Sequence, residues 1–369
     1  EKTIIKLGGL LAIGFGEAGA EVIGQNLKGG TSAGVNAMLP GQMVDVIVGV
    51  CEIRNFLGAT EVLKEKVMLF VNQVSEIVHG CVDDYHGAPN KNVGESFLLV
   101  WRLSGKEKDR QTKLADMAIM SFVRMVAEVN KSRVLAVYRK HPGLLQMVSD
   151  FRVQLGFGLH CGWAIEGAIG SEFKIDASYL SPNVSIAESM ERATETYGVS
   201  ILVSSAVIQV CSASVAKRCR LIDRVVITGS KEALELYAID LDHACLTVER
   251  PRPPKPWTSR QRFRARRQLD KEKAQKWNEE FVVADLFDDP VISAMRSLYS
   301  VEFLHVFNMG YQNYSEGQWE AAQRMLTRTR DMLGVVDGPS NALLTFMARD
   351  GFKAPFNWHG IRTGTLSLG

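Results

Sequence analysis

The segment Met43–Trp101 constrains the fold more than any other part of the chain. Residues 44–50 form a short, β-branched and almost wholly apolar run, which predicts a buried strand. From Thr60 to Val82, apolar residues recur at steps of three and four, the pattern of an amphipathic helix that packs on a sheet. Residues 92–96 have the composition of a tight turn, and Phe97–Trp101 then predicts the second strand of a hairpin.

Two carboxylates stand at the ends of these predicted strands. Glu52 comes where the first strand leaves the core, and Glu95 lies in the turn before the last strand. A sheet that pairs these strands brings both glutamates to one edge, where they can hold divalent cations, which prefer oxygen ligands. The alternative is two solvated glutamates at loop ends, and spacing alone favours that alternative.

The segment resembles the first half of a class III nucleotidyl cyclase catalytic domain. That family's pattern is a strand that ends in Asp-Ile-x-x-Phe, and a later Lys-x-x-Gly-Asp before another strand. Residues 52–56 and 91–95 match it, with glutamate in place of both aspartates. Further matches follow in the family's order, so the resemblance covers residues 41–240. It implies an α+β fold, a ferredoxin-like antiparallel sheet with helices on one side and a dimer cleft on the other.

The resemblance also implies which residues bind ligands. Mg or Mn, together with ATP, would be held by Glu52, Glu95 and the backbone carbonyl of Ile53. Lys91 stands at the position that reads the purine, and Ser178 at a second purine-reading position. Adenine is the base that we expect if a nucleotide binds.

Two catalytic residue types of the family are replaced. In the family, an asparagine that orients the ribose and an arginine that stabilises charge on the phosphates come from the opposite protomer. The Asn-x-x-x-Arg pattern falls on Ser185 and Ser189 here. Loss of such a charge-stabilising donor costs about two to three orders of magnitude in rate, or about 3 to 4 kcal/mol. Arg192 follows Ser189 by three residues on the same predicted helix, and is the candidate substitute.

These departures lead to three hypotheses for function. The first is a catalytically degenerate pseudocyclase without a cofactor, which acts as a regulatory or structural subunit of a larger assembly. The second is an active cyclase that converts ATP to cyclic AMP and pyrophosphate, including as one half of a heterodimer whose other chain supplies the missing residues. The third is a sensor that binds ATP and metal without turnover.

Four domains are predicted along the chain. An N-terminal helix and glycine-rich loop occupy residues 1–40, and the cyclase-like domain occupies residues 41–245. A basic linker rich in proline and arginine follows at residues 246–280, and a C-terminal helical extension at residues 281–369. We expect the N-terminal helix, the linker and the extension to lie at the periphery.

Three shorter features outside the cyclase-like segment favour structural roles. Residues 14–19 fit a dinucleotide-binding fingerprint, but no acidic residue follows at the required distance, so a helix of small residues is the better interpretation. The basic linker could contact nucleic acid or acidic lipid, but a stiff segment that wraps an acidic protein surface is favoured. Residues 302–330 resemble one tetratricopeptide-type helical hairpin, a single copy that predicts a docking element.

The cysteine usage and the family resemblance also predict where the protein is located and what it binds. The six cysteines show no paired spacing, which favours reduced thiols and a cytoplasmic protein. No transmembrane segment is visible, and nucleic acid is not an expected partner. The expected partner is a homologous cyclase-domain subunit, in a homodimer or heterodimer, or a larger assembly. The alternative location is ciliary or membrane-associated, through a longer chain or a partner.

Overall fold

The structure is a computed structural model, and it describes residues 40–171, 174–227, 232–249 and 259–366. The predicted N-terminal helix and glycine-rich loop therefore lie outside the described residues, apart from Pro40. The same holds for residues 250–258, the most proline-rich part of the basic linker.

Within the described residues, nine strands form one sheet. They are β1 (Gln42–Ile53), β2 (Ala88–Val93), β3 (Ser96–Arg102), β4 (Leu155–Ser171), β5 (Lys174–Leu180), β6 (Ile201–Ser204), β7 (Arg220–Ile227), β8 (Ala233–Ala238) and β9 (Arg362–Leu366). Their order in the sheet is β2-β3-β1-β4-β6-β8-β7-β9, and β5 pairs with β4. The α+β class predicted from the sequence is confirmed.

Helices cover this sheet and extend beyond it. Those described are α1 (Phe56–Leu63), α2 (Val67–Asp84), α3 (Lys108–Lys131), α4 (Pro142–Met147), α5 (Pro182–Tyr197), α6 (Ser205–Ile208), α7 (Ala213–Ala216), α8 (Ser259–Gln275), α9 (Pro290–Arg296), α10 (Val301–Ser315), α11 (Trp319–Met332) and α12 (Gly338–Ala348). The helix predicted over residues 60–82 is interrupted at residues 64–66, where Lys64 adopts a positive φ of 49°. Among the helices described, none combines the length and the apolarity that crossing a membrane requires.

The sequence predicted an antiparallel sheet, and most strand pairs are antiparallel, but two pairs are parallel. Strand β1 pairs antiparallel with β3 and β4, and the β2–β3 hairpin turns at Gly94, whose φ is 60°. Strand β6 instead runs parallel to β4, and β9 runs parallel to β7. The parallel β4–β6 pair has a physical cause, because helix α5 carries the chain back along the sheet between them.

Side chains of β1 alternate between two apolar cores. Ile47 and Cys51 face the first core, where α2 and α3 supply most of the packing. Val46 and Val48 face the opposite side, where Ala187 of α5 packs against them. Helices therefore cover both faces of the sheet, and the expectation of helices on one side only was wrong.

The C-terminal helices continue the second face. Phe307 of α10, Trp319 of α11 and Leu343 of α12 form one cluster with Tyr197 of α5 and Leu236 of β8. The expectation that this extension would be peripheral was therefore wrong. The hairpin of α10 and α11 is confirmed, with its turn at Gly317 in the left-handed region, φ 81°.

Part of the predicted linker is helical. Helix α8 starts at Ser259, and two of the lysines near its end pair with acidic residues at the end of α2. The ion pairs are Lys273–Asp83 at 2.7 Å and Lys276–Asp84 at 2.5 Å. The described part of the linker thus contacts acidic residues of the same protein, as the favoured interpretation of the sequence expected.

Candidate functional site

The backbone positions of the two glutamates of the cyclase-like pattern adjoin at one edge of the sheet, although only Glu52 lines the cleft described below. Glu52 lies one residue before the end of β1, opposite Ser96 of β3 and Gly156 of β4. The backbone N–H of Ile53 donates to the carbonyl oxygen of Glu95 at 3.2 Å, which fixes the β2–β3 turn beside the end of β1. Both glutamate side chains are partly exposed, whereas Ile53 is buried.

Arg54, which belongs to the matched residues 52–56, binds helix α5 to this edge of the sheet. The guanidinium of Arg54 pairs with Glu195 at 2.7 Å and lies 3.7 Å from Glu191, and it also donates to the hydroxyl of Thr194. Burial raises the pKa of Glu191 to about 8, and the nearby Glu52 carboxylate raises it too, against the opposing effect of Arg54. One carboxylate oxygen of Glu191, Oε1, is buried without a hydrogen-bond partner among the described residues.

A cleft of about 280 Å³ opens between this edge of the sheet and α5. Its charged lining consists of Glu52 from β1, Lys91 from β2, and Glu188 and Arg192 from α5. Val50, Val93, Ser96 and Leu98 complete the lining. All of these residues belong to one chain, and the two carboxylates balance the two cations.

The two predicted purine-reading residues lie on β2 and β5, two strands that are not paired in the sheet but contact each other. Lys91 follows an irregularity in the β2–β3 register and points toward β5, where its ammonium lies 3.8 Å from Asp176. The side chain of Asn90 donates to the carbonyl oxygen of Ala177 at 3.3 Å, so β2 and β5 touch here. Ser178 is buried at 7% exposure and does not line the cleft.

The three predicted residues of α5 have different environments. Ser185 is partly exposed, and Arg192 is exposed and lines the cleft of its own chain. Ser189 is buried at 2% exposure, covered by other parts of its own chain. The position at which the family pattern has an arginine is therefore not available at the surface of this chain.

The edge of the sheet suits a magnesium or manganese ion in its chemistry. Glu52, Glu95 and the carbonyl of Ile53 are hard oxygen donors, and Mg²⁺ is commonly held by one or two carboxylates together with phosphate oxygens and water. These three residues would hold it, and the ion would neutralise phosphate charge when bound. Neither this edge nor any other part of the described residues contains a group of three or more His, Cys, Asp or Glu side chains placed for a metal, so phosphate oxygens and water would have to complete the ion's coordination.

Sequence reasoning missed four charged residues of the site: Arg54, Asp176, Glu188 and Glu191. A signal for one of them existed, since Glu188 stands four residues before the predicted Arg192 and hence on the same helix face. The partners of Arg54 and Lys91 had no comparable signal. Arg54 and Glu191 are 137 positions apart in the chain, and Lys91 and Asp176 are 85 apart. Only the packing of α5 and β5 brings these pairs together, and sequence spacing does not encode it.

Known sequence families match two parts of the chain. The pattern of the family described as "Adenylate and Guanylate cyclase catalytic domain" matches residues 42–240. A second pattern, "RasGEFs all helical domain", matches residues 1–28, which lie outside the described residues.

Individual proteins show the same similarity. The chain is 24% identical over 191 residues to an adenylate cyclase of Anabaena cylindrica, a match that covers 51% of this chain and 35% of the relative. It is also 24% identical over 193 residues to the terminal-differentiation-specific adenylate cyclase of Dictyostelium discoideum, covering 51% of this chain and 8% of the relative. The chain therefore spans about a third or less of the length of these relatives.

The solved structure of a bacterial light-regulated adenylyl cyclase has a similar fold. It superposes with a TM-score of 0.50 at 21% sequence identity, over 74% of this chain and 68% of that chain. This likeness concerns the fold alone. The family pattern, which matches residues 42–240 and therefore more than half of the chain, shows that the chain belongs to the adenylate and guanylate cyclase catalytic domain family.

Proposed function

We propose that this chain is a catalytically degenerate cyclase-homology subunit, which regulates or supports a larger cytoplasmic assembly without making cyclic nucleotide by itself. Domains of this family typically work in pairs with Mg or Mn and ATP. In this proposal, the chain has the fold of such domains and pairs as they do, but it does not catalyse cyclisation. The buried position of Ser189 is the observation that carries it.

Turnover in the family needs a cation at this position that reaches across to the partner. A serine cannot supply charge, and Ser189 is only 2% exposed in this chain. Loss of a single charge-stabilising donor costs about two to three orders of magnitude in rate. Ser185 in place of the asparagine removes a further polar contact.

The charge of the cleft also supports the proposal. Glu188 brings a second carboxylate beside Glu52, so that Lys91 and Arg192 are balanced and the cleft has no positive excess for a triphosphate. Lys91 is in addition paired with Asp176. The volume of about 280 Å³ lies just below the range of about 300 to 1,000 Å³ that small-molecule sites occupy, so one chain offers only part of a nucleotide site.

One observation favours a second candidate, the nucleotide sensor. Arg192 lines the same cleft as Glu52 and Lys91, so a metal ligand and two cations come from a single chain. Such a chain would bind ATP with a metal without a partner's help. An active cyclase would need a companion chain that supplies both the asparagine and the arginine.

Titration calorimetry with a non-hydrolysable ATP analogue and manganese, followed by a cyclic AMP assay on the same samples, separates these candidates. The purified chain is measured alone and after mixing with a homologous subunit that retains both catalytic residues. Arg192→Ala, together with an alanine substitution of the exposed Arg324 as a matched control, tests whether any binding occurs in this cleft.

The proposal expects no cyclic AMP from the chain alone, whatever the binding result. Binding that Arg192→Ala abolishes and Arg324→Ala preserves would make the chain a sensor. Turnover only in the mixed sample would make it one half of a heterodimeric cyclase. Turnover by the chain alone, sensitive to Glu52→Ala, would contradict the proposal.

A further inference from the structure

The first half of helix α8 is rich in arginine and takes no part in the cleft at Glu52. Residues 260–267 contain no carboxylate and five arginines, which are Arg260, Arg262, Arg264, Arg266 and Arg267. This stretch is the arginine end of α8. The whole chain has a formal net charge of only +2, so the residues outside the arginine end are net negative. The arginine end is thus strongly cationic on a chain that is otherwise slightly acidic.

The opposite end of α8 is fixed to the cyclase domain. Lys273 and Lys276 form their ion pairs with the end of α2. Nε2 of His86 lies 2.8 Å from the carbonyl oxygen of Lys273, and the ring centroids of His86 and Trp277 are 4.7 Å apart. The ammonium of Lys276 also lies 4.7 Å from the ring centroid of Tyr85. These contacts satisfy the two lysines and hold α8 by its C-terminal end.

The arginine end has charge that the described residues leave free for a ligand. Arg264 and Arg267 are exposed, and neither forms an ion pair with another residue that the structure describes. Leu269, two residues further along α8, is 62% exposed. An arginine keeps its charge at any physiological pH, and like charges three or four residues apart destabilise a helix. An anionic partner would relieve this repulsion.

We propose that the arginine end of α8 binds the surface of a membrane that contains anionic lipids. Clusters of about four to eight Lys or Arg residues attract anionic headgroups, and the arginine end falls within this range. The guanidinium fork matches the geometry of phosphate oxygens. The exposed Leu269 adds an apolar side chain that can enter the headgroup region, as apolar residues of surface-bound helices do.

The distribution of charge favours a membrane over nucleic acid. Proteins that bind nucleic acid carry basic charge along a whole face or stripe, whereas the residues outside the arginine end are net negative here. A flat bilayer can be reached by one helix alone, and repulsion of the acidic remainder is screened beyond about 10 Å at 0.1 M salt. The inference goes beyond the proposed function, because it assigns a surface to which the subunit is recruited.

Vesicle flotation of the full chain tests the proposal. One set of vesicles is phosphatidylcholine alone, and the other is phosphatidylcholine and phosphatidylserine at about 7:3. At about 0.1 M salt, we expect the chain to float only with the vesicles that contain phosphatidylserine. At about 1 M salt, where screening acts within about 3 Å, this binding should be lost.

Matched charge reversals locate the binding. Each arginine near an anionic surface contributes about fivefold in affinity, so Arg264→Glu combined with Arg267→Glu should weaken partitioning at least about 25-fold. Arg324→Glu combined with Arg349→Glu is the control, because it changes the net charge equally at two exposed positions of the C-terminal extension. That control should partition as the original chain does. Circular dichroism confirms that each variant is folded.

Several outcomes would overturn the proposal. Equal partitioning to neutral and anionic vesicles, or an equal loss in both double variants, would remove the arginine end as a specific lipid site. Tighter binding to a short DNA or RNA duplex than to anionic vesicles at the same salt, weakened by Arg264→Glu with Arg267→Glu, would assign nucleic acid instead. None of these measurements involves ATP, so they fail or succeed independently of the cyclic AMP assay.

Discussion

The guanidinium of Arg220 and the carboxylate of Asp337 form a buried ion pair with Nη2 and Oδ1 2.8 Å apart, between residues 117 positions apart in the chain. Asp240 accepts from the same guanidinium at 2.6 Å, and the ring of Phe307 lies 4.2 Å from its carbon. Asp337 also caps α12, since its carboxylate accepts from the N–H of Ser340. Strand β7 and the C-terminal helices are thus joined by a charge network that is shielded from water.

Substitution of Arg220 should lower the unfolding free energy of the domain. Arg220→Met leaves the carboxylates of Asp240 and Asp337 buried without a counter-charge, and breaking a buried pair in this way costs about 3 to 5 kcal/mol. Urea unfolding followed by tryptophan fluorescence measures the loss. The same substitution at Arg328, whose pair with Glu302 is largely exposed, should cost less than about 1 kcal/mol. Equal losses for the two variants would show that the network does not hold the extension in place.

Burial of His160 should make the unfolding free energy depend on pH. Its Nδ1 lies 2.9 Å from the hydroxyl of Ser204, and its Nε2 lies 3.1 Å from the side-chain oxygen of Asn183. The amide of Asn183 donates to the carbonyl oxygen of Trp163, which directs its oxygen to His160 and makes the imidazole a neutral donor at Nε2. Burial lowers the pKa of His160 from 6.5 to about 4, although the bond to Asn183 opposes the shift.

The lowered pKa of His160 determines how the unfolding free energy changes with pH. The His160 side chain binds a proton near pH 6.5 in the unfolded chain and only near pH 4 in the folded chain. Its contribution to the unfolding free energy is therefore fully present above pH 6.5 and is lost as the pH falls toward 4. Between pH 7 and pH 4.5, the unfolding free energy should fall by about 2 to 3 kcal/mol because of this group. His160→Gln should remove that part of the pH dependence, whereas His305→Gln, at an exposed position, should retain it. An unchanged pH profile in His160→Gln would contradict the assignment.

Restoration of the family's arginine should destabilise this chain. Ser189→Arg introduces a long charged side chain at a position with 2% exposure, and an unpaired buried charge costs several kcal/mol. Ser185→Asn, at a partly exposed position, should change the unfolding free energy by less than about 1 kcal/mol. Thermal unfolding of the two variants measures the difference. A Ser189→Arg variant as stable as the original chain would show that the position is open after all, and would weaken the proposal of degeneracy.

Local pattern in the sequence predicted most of the cyclase-like elements. The apolar run before Glu52 predicted β1, and the turn composition at residues 92–96 predicted the β2–β3 hairpin, because both signals depend on neighbours in the chain. The same signals located Glu52 and Glu95, whereas Lys91 was named only through the resemblance to the family. They also predicted the hairpin of α10 and α11, through its apolar spacing and Gly317.

Contacts between distant segments could not be predicted in this way. The burial of Ser189 depends on other parts of the chain that cover α5, and a serine is neutral evidence for either burial or exposure. The ion pair of Arg220 with Asp337 likewise joins segments whose patterns are independent. The peripheral extension was a wrong prediction for this reason, since an amphipathic helical hairpin does not reveal which surface its apolar stripe covers.

Glycines of β4 set the distance between the sheet and α5. A Cβ at Gly158 would overlap the carbonyl oxygen of Ala187 and would lie 2.6 Å from the backbone nitrogen of Glu191, so the helix backbone rests directly on this glycine. Gly158→Ala should therefore push α5 away and cost about 1 to 3 kcal/mol through overpacking.

Gly80→Ala is the matched substitution, because a Cβ at Gly80 in α2 meets nothing within 4 Å. In that helix, alanine in place of glycine should raise the unfolding free energy by about 0.5 to 1 kcal/mol. The same substitution, glycine to alanine, should thus lower the unfolding free energy at position 158 and raise it at position 80. Urea unfolding measures both changes. Because α5 carries Glu188 and Arg192, Gly158→Ala should also alter any binding in the cleft, whereas Gly80→Ala should not. A Gly158→Ala variant as stable as the original chain would mean that α5 lies farther from β4 than this close packing indicates.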